Sequence, residues 1–360
     1  MCKKLAFNNQ QRGYIMNMYQ KAVDLVKQSN KPSVSYLQRN LNISYADAVN
    51  FLDRMESEKI VSPLDENKKR TVLMKLPTAD EMKQMSQEQL KNNQEILSKM
   101  PIVQFWRNAK FHGNTSILEG EYQELEKANL FISESEISTD SGKNKVHKNL
   151  QAEPYVGNLA TAKCFMINLN PRAGIPYAQE YKNWSDAQLQ KITNDVINQK
   201  NMAYPFYYLD PELANTDGAK WWLKKFGLQN VGQSIQINGV DLPSVYVKRM
   251  IANLFCDIEL CPYHSNAWNN KLNNLIVSGK LPSSTMAIEF IKQIIHDPTK
   301  HIFIRGSYES SSIAKTLREF IPELKQDLPN VHYTGGSQTF WLTPTSKTGE
   351  ILYREIFKSV

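Results

Sequence analysis

The sequence predicts an α/β protein: an N-terminal winged helix, a helical connector, and a second domain with a central, mainly parallel sheet. Three observations carry this. Residues 31–63, KPSVSYLQRNLNISYADAVNFLDRMESEKIVSP, have the spacing of two short helices, a tight turn and an entry into a strand. From Pro154 onward, short apolar runs alternate with helical segments, which is how a parallel sheet with crossover helices reads. A length of 360 residues is more than one domain usually needs.

Residues 10–28 place Ile15, Tyr19, Ala22 and Val26 on one helical face. Pro32 and Ser33 break and cap, a second helix holds Leu37 and Leu41, and Asn42 to Ser44 make a turn. A third helix puts Tyr45, Ala48, Val49, Leu52 and Met55 on one face. Ile60-Val61 and Thr71-Val72-Leu73-Met74 read as two short strands joined by the charged loop Asp65 to Arg70, the wing. Residues 1–76 are thus one domain. Thr78-Ala79-Asp80-Glu81 is a capping box opening a polar helix to about Lys99, and SESEISTDSGKNK (133–145) reads as a flexible loop, so 77–150 is a connector. In residues 151–360 the expected strands are 164–169, 250–260, 302–304 and 331–333, and the expected helices are 186–199, 286–296 and 309–320.

Composition narrows the function classes. The 43 Lys+Arg against 36 Asp+Glu give a net charge of +7, compatible with a polyanionic partner. The start MCKKLAFNNQQRGY lacks the apolar core of a signal peptide, and no apolar run is long enough to span a bilayer, so the expectation is a cytoplasmic protein without membrane contact. The four cysteines form no CxxC pair and the histidines no HxxxH pair, so neither a metal nor another cofactor is expected.

The stretch from about residue 12 to 75 resembles the γ domain of FtsK-type DNA translocases, carried by Ser35, Leu37-Gln38-Arg39, Leu41, Ile43-Ser44-Tyr45, Ala48, Asp53, Met55-Glu56 and Ile60-Val61. The resemblance implies double-stranded DNA as partner, with the third helix in the major groove and with Arg39 and Tyr45 on the DNA side. Ala46 and Asp47 stand where the family usually carries Asn- or Arg-type residues. Asp47 repels phosphate, although a carboxylate can accept from cytosine N4. Lys68, Lys69 and Arg70 on the wing are placed to grip phosphates, which gives affinity without sequence readout.

In the second half, EPYVGNLATAKCFMINLNPRAGIPY (153–177) is a buried strand ending in Asn168-Leu169-Asn170-Pro171, and LFCDIELCPYHSNAW (254–268) is another ending at Glu259. HIFIRGSYES (301–310) and VHYTGGSQTFWLTPTSKTGEILYREI (331–356) complete a set of four. Ligand sites gather where such strands end. The order and spacing resemble the uracil-DNA glycosylase superfamily over about residues 150–358. Asn168-Leu169-Asn170-Pro171-Arg172 is similar to Gly-Ile-Asn-Pro-Gly of the mismatch-specific branch, and Glu259-Leu260-Cys261-Pro262 to the Asn-x-Cys-Pro strand of the single-strand-selective branch. Ile304-Arg305-Gly306 is similar to the strand with a terminal Gly before the second motif. Asn168 and Arg172 replace both glycines of the first motif. The His-Pro-Ser loop corresponds either to Gly335-Gly336-Ser337 or to Thr343-Pro344-Thr345-Ser346, and neither supplies the His.

What this resemblance implies is a glycosylase-like fold that excises a damaged or modified base from DNA after flipping it out. Asn170 would orient the attacking water at C1′, Tyr177 would stack on the base, and Glu259 stands at the base-reading position, with Asp257 on the same face as its rival. A carboxylate facing O4 of uracil would oppose two acceptors, whereas it accepts from an exocyclic amine, so an amino-bearing base is expected. A protonated Glu259 would instead donate to O4 or to a leaving base. Asn168, Arg172, His264, Ser337 and Ser346 are the expected neighbours of substrate, and Ser346-Lys347 a phosphate contact at a helix N-terminus. The aromatic, Lys-bearing stretch 204–227 reads either as a pocket wall or as a packed insertion. The alternatives are a DNA-binding protein that keeps the fold without catalysis and an enzyme of another class such as a nuclease; repair, defence against foreign DNA and oligomeric state stay open.

Overall fold

The computed structural model of the protein describes residues 18–360 except 20, 24, 27–28, 30, 58–59, 73–78, 137–141, 173–193, 201, 230, 233, 238–239, 336–339 and 359–360. Two compact units divide the chain, Met1–Gln89 and Leu90–Val360.

In the first unit the described residues of 18–29 are helical. Helix α1 (Val34–Leu41) starts at Ser33, whose Oγ accepts from Tyr36 N at 3.3 Å, and stops at Asn42, which takes a left-handed conformation at φ 52°. An Asn tolerates that region better than most residues, which is why the turn falls here. Helix α2 (Tyr45–Ser57) opens on a reciprocal cap: Ser44 Oγ accepts from Asp47 N at 3.1 Å and donates to the Asp47 carboxylate at 2.6 Å. A bridge between Val61 and Val72 marks the wing, and Leu73 and Met74 of the expected second strand lie outside the described residues. Tyr19, Ala22, Val26, Leu37, Ala48, Leu52 and Met55 share one core, as the helical spacing predicts. Tyr45 does not join it; at the first position of α2 it is 66% exposed.

The second unit is mixed α/β. Helix α3 (Ala79–Lys99) runs across the division at Gln89, and α4 (Pro101–Arg107) and α5 (Glu119–Lys127) follow in the second unit. The sheet strands are β1 (Tyr155–Val156), β2 (Cys164–Asn168), β5 (Phe255–Glu259), β6 (His301–Ile304) and β7 (Val331–Tyr333), in the order β1-β5-β2-β6-β7, parallel except for edge strand β1. Helix α6 (Asp217–Lys225) and the hairpin β3 (Ser234–Ile237) and β4 (Val240–Pro243) lie between β2 and β5 in sequence; α7 (Ser244–Leu254) leads into β5. Then come α8 (Asn270–Val277), α9 (Pro282–Ile294), α10 (Ser312–Phe320) and α11 (Lys347–Lys358). β2 and β5 are buried at every residue, as the central strands of a sheet covered on both faces must be.

Three stretches differ from expectation. Residues 250–254 are not strand but the end of α7, which buries Val247, Ile251 and Leu254 at helical spacing before the chain becomes extended at Phe255. The stretch read as a flexible loop is fastened at its described ends: Lys145 pairs with Glu136 at 2.7 Å, and Ala267 N donates to Lys143 O at 2.8 Å. Much of the segment read as a connector packs into the core of the sheet through Leu97, Ile102, Trp106, Leu118, Leu125 and Val146. Buried Glu121 fastens it further, accepting from Tyr263 Oη at 2.6 Å and Ser283 N at 2.6 Å. Among the described residues no helix is long and apolar enough to cross a membrane.

Candidate active site and nucleic-acid interface

Three adjacent parallel strands end at one level. Register pairs Asn168 of β2 with Glu259 of β5, and Arg305 follows Ile304, the partner of Ile167. Past those ends Leu260 N and Cys261 N still donate to Asn168 O and Leu169 O at 3.0 and 2.8 Å, so the two chain segments run on side by side. After β6 the chain must turn away at once. Gly306 does this at φ +99°, and a Cβ there would lie 2.7 Å from Ser311 Cβ. The turn holds Arg305 at the strand end, and Ser311 Oγ fastens it by donating to Arg305 O at 2.7 Å.

A cavity of about 310 Å³ opens at this level. Its polar lining is Asn168, Asn170 and Arg172 from the β2 end, Asp257 and Glu259 from β5, Arg305 from β6, Glu153 ahead of β1, and Asp217 at the start of α6. Its aromatic wall is Tyr208, Trp221 and Trp222, so the pocket-wall reading of 204–227 holds for those residues. Trp222 is locked edge-on against Phe206 at 4.9 Å and stacked on Phe226 at 5.7 Å. Gly218 lets α6 approach the wall: a Cβ there would sit 2.5 Å from the Tyr208 ring.

Asn170 is oriented from behind. Its Nδ2 donates to Ser265 Oγ at 2.8 Å and to Tyr263 O at 3.1 Å. The amide nitrogen is thereby occupied, and among the described residues no donor is bonded to Oδ1, an acceptor. Asn168 Nδ2 donates to Asp257 Oδ1 at 2.6 Å, while Asn168 Oδ1 lies 3.5 Å from Arg305 Nη1.

Three buried carboxyls face the half-buried guanidinium of Arg305, and they cannot all be charged. Burial pushes Glu153 up to about 8, with the Asp257 charge adding to it and a bond from Tyr208 opposing. Burial pushes Asp257 up to about 7 against the pull of Arg305 and Asn168. Glu259 is raised well above the usual carboxylate range, by burial and then by the charges of Asp257 and Glu153. Tyr207 Oη and Tyr208 Oη both donate to Glu153 Oε1, the latter at 3.1 Å. Among the described residues no group of three His, Cys, Asp or Glu is arranged to hold a metal ion.

Five of the residues singled out in the sequence, Asn168, Asn170, Arg172, Glu259 and its rival Asp257, thus meet in one cavity. His264 is not among its lining residues; it is buried behind Glu153, with Nε2 3.0 Å from Gln151 O. Burial depresses its pKa to about 3, so the 3.4 Å contact with Glu153 joins two neutral groups near neutrality and is not an ion pair. Ser346 Oγ accepts from Gly349 N at 3.1 Å and lies 2.9 Å from Trp341 O, so it caps α11; Lys347 is exposed beside it. Tyr177 and Ser337 lie outside the described residues. Sequence reading passed over Glu153 and Arg305. The signal for Glu153 was a lone carboxylate inside the otherwise apolar run Ala152 to Val156.

In the first unit a groove of about 610 Å³ is lined by Lys31, Arg39, Lys68, Lys69 and Arg70 with Tyr36. The wing tip is a tight turn: Asp65 N donates to Lys69 O and Lys68 N to Asp65 O, both at 2.9 Å, with Lys68 at φ 58°. Lys68 and Lys69 are exposed. Arg70 turns inward instead, to Asp53 at 2.8 Å and Glu56 at 2.7 Å, so its charge is balanced within the fold. Asp47 is held by Ser44 and serves as a cap.

Residues 16–75 match the Ftsk gamma domain family. The chain carries an N-terminal FtsK gamma domain. It is 46% identical over 57 residues to the DNA translocase FtsK of Rickettsia bellii, a match covering 16% of this chain and 8% of that protein. With the DNA translocase FtsK 2 of Neisseria meningitidis it is 44% identical over 62 residues (17% and 6%), and with the DNA translocase FtsK of Oceanobacillus iheyensis 37% over 65 residues (18% and 8%). The chain therefore spans less than a tenth of the length of these curated relatives, and the likeness is confined to the gamma domain's share of it. In that domain helix α2 exposes Asp47 and Asp53, and the groove beside the wing collects the cations.

Proposed function

We propose that the protein is a DNA glycosylase: the gamma domain captures double-stranded DNA and the cavity of the larger unit hydrolyses the N-glycosidic bond of a flipped-out damaged or modified base. One observation carries the reading: Asn170, Glu259 and Arg305 converge from three strand ends on a cavity with an aromatic wall. At about 310 Å³ it has the size of a small-ligand site, and a flipped base needs both an apolar face to stack on and polar groups at its edge. Asn170 Oδ1 would hold the water aimed at C1′. An amide is a weak base, so the bond opens mainly by departure of the base. The likeness to the uracil-DNA glycosylase superfamily rests on the short motifs around Asn170 and Glu259 and supports the same chemistry.

The test is a set of duplexes carrying, one at a time, uracil, a G·T mismatch and modified cytosines or adenines, with alkali revealing abasic sites. Cleavage on at least one is expected, and Asn170→Ala is expected to lower it on the order of 10²–10³-fold, as for loss of one positioned polar group, with DNA affinity unchanged. DNA binding without abasic sites on any duplex would favour a binding protein that keeps the fold without catalysis. On the gamma domain, Lys68→Glu with Lys69→Glu is expected to flatten the salt dependence of duplex affinity by a slope of about 2, since each phosphate contact contributes roughly 0.9. Fluorescence anisotropy across a salt series reads this directly; an unchanged slope would place the phosphate contacts elsewhere.

A further inference from the structure

Glu259 has an unmatched oxygen. The residue ends β5, lines the cavity and is 6% exposed, yet its Oε2 is buried without a hydrogen-bond partner. A buried acceptor or acid in that state costs stability unless a ligand completes it. Asp257, two residues earlier on the same face, shares a hydrogen bond with it. The charged groups facing Glu259 are Asp257 on its own strand, Glu153 ahead of β1 and Arg305 after β6; Arg172 after β2 and Asp217 of α6 line the same cavity, and Asn168 of β2 is neutral. Negative charge settles best on Asp257, which has both the Asn168 amide at 2.6 Å and the guanidinium. Glu259 is then the acid of the pair.

We propose that Glu259 donates a proton to the departing base, and that the bases taken are those with an exocyclic amine beside an unprotonated ring nitrogen, the edge of cytosine- and adenine-type rings. This rests on the glycosylase reading. A neutral carboxyl presents a hydroxyl and a carbonyl side by side, which match that ring nitrogen and that amine. In the reaction the C1′–N electron pair passes to the base as the Glu259 proton bonds to the ring nitrogen. The water at Asn170 adds to C1′, and the proton it loses restores the acid. Uracil carries hydrogen on the corresponding ring nitrogen, so it cannot receive the proton there and leaves as an anion.

The experiment measures single-turnover base release by the full chain from DNA containing an amino-bearing modified base and from DNA containing uracil, across pH. Release of the amino-bearing base is expected to fall about tenfold per pH unit once Glu259 ionises, and Glu259→Gln to slow it roughly 10²–10⁴-fold, the usual contribution of a general acid, while removing that alkaline limb and leaving DNA affinity intact. A flat wild-type profile, a Glu259→Gln variant as fast as wild type, or uracil released faster than every amino-bearing base would each overturn the proposal and leave the glycosylase reading standing. No release from any DNA by the wild type would overturn both. The wild-type profile decides even if the variant does not fold.

Discussion

Raising the pH from about 6.5 to 9 is expected to lower the stability of the larger unit, and Glu153→Gln is expected to remove about 2 kcal/mol of that loss, the share that its own raised pKa contributes. Glu153 ionises near 4.5 in an unfolded chain and near 8 in the fold. Between those values the folded state binds the extra proton, so stability is full below about 4.5, declines as pH climbs, and levels off above about 8. Asp257 acts in the same direction between 3.8 and about 7. His264 acts oppositely, because its folded pKa of about 3 lies below 6.5, but that contribution ends near pH 6.5. Above it the acids act without that opposition, and the remaining 1.5 units of Glu153 give about 2 kcal/mol at about 1.4 kcal/mol each. Glutamine keeps a carbonyl for Tyr207 and Tyr208 but has no proton to lose. Urea unfolding at the two pH values, for both proteins, is the measurement. Equal pH dependence in the two would mean that Glu153 is not the group holding the proton.

The parts of the fold that were legible are those where local pattern and tertiary role agree. Cys164–Asn168, His301–Ile304 and Val331–Tyr333 are short apolar runs bounded by turn residues, and all three are strands. The run from Met250 to Leu260 was ambiguous because a buried helix and a buried strand are equally apolar. Its halves separate only by phase: Val247, Ile251 and Leu254 repeat as a helix, whereas Asp257 and Glu259 share one face of a strand. The cap at Ser44 and Asp47 was visible as residue types, but a carboxylate at a helix start reads equally as a base contact until its partner is seen. The asparagines of the cavity were legible because Pro171 ends the strand beside them. Glu153 and Arg305 were not, since their roles come from burial against segments more than 40 residues away, which no local window contains. Wing residue Arg70 shows the same limit: charge is readable from sequence, but whether it faces solvent or Asp53 is decided by packing.

Replacing Arg305 with Met is expected to cost about 3–5 kcal/mol at pH 9, the range for leaving a buried charge without its partner, and little at pH 5. The guanidinium lies 5.8 Å from the Trp221 ring and 5.5 Å from the Phe340 ring, and it draws the pKa values of Asp257 and Glu259 downward. Methionine fills much of the same apolar space, so the change tests charge more than volume. Without the cation, Asp257 at alkaline pH is a carboxylate in a buried site, held by hydrogen bonds from the Asn168 amide, the Ile258 backbone and the Glu259 carboxyl but by no opposite charge from Arg305. At pH 5 the folded state already holds Asp257 protonated, because its pKa is about 7, and the missing charge matters little. The penalty therefore grows as pH rises through that value. Arg305→Lys separates charge from shape: a lysine keeps the cation but not the planar group set between two rings, so it should recover part of the loss at pH 9. Urea unfolding of the three proteins at both pH values reads these differences. A penalty for Met that is the same at pH 5 and pH 9 would show that Arg305 acts through its packing on Trp221 and Phe340, and the balance of the acid cluster would then have to come from Arg172.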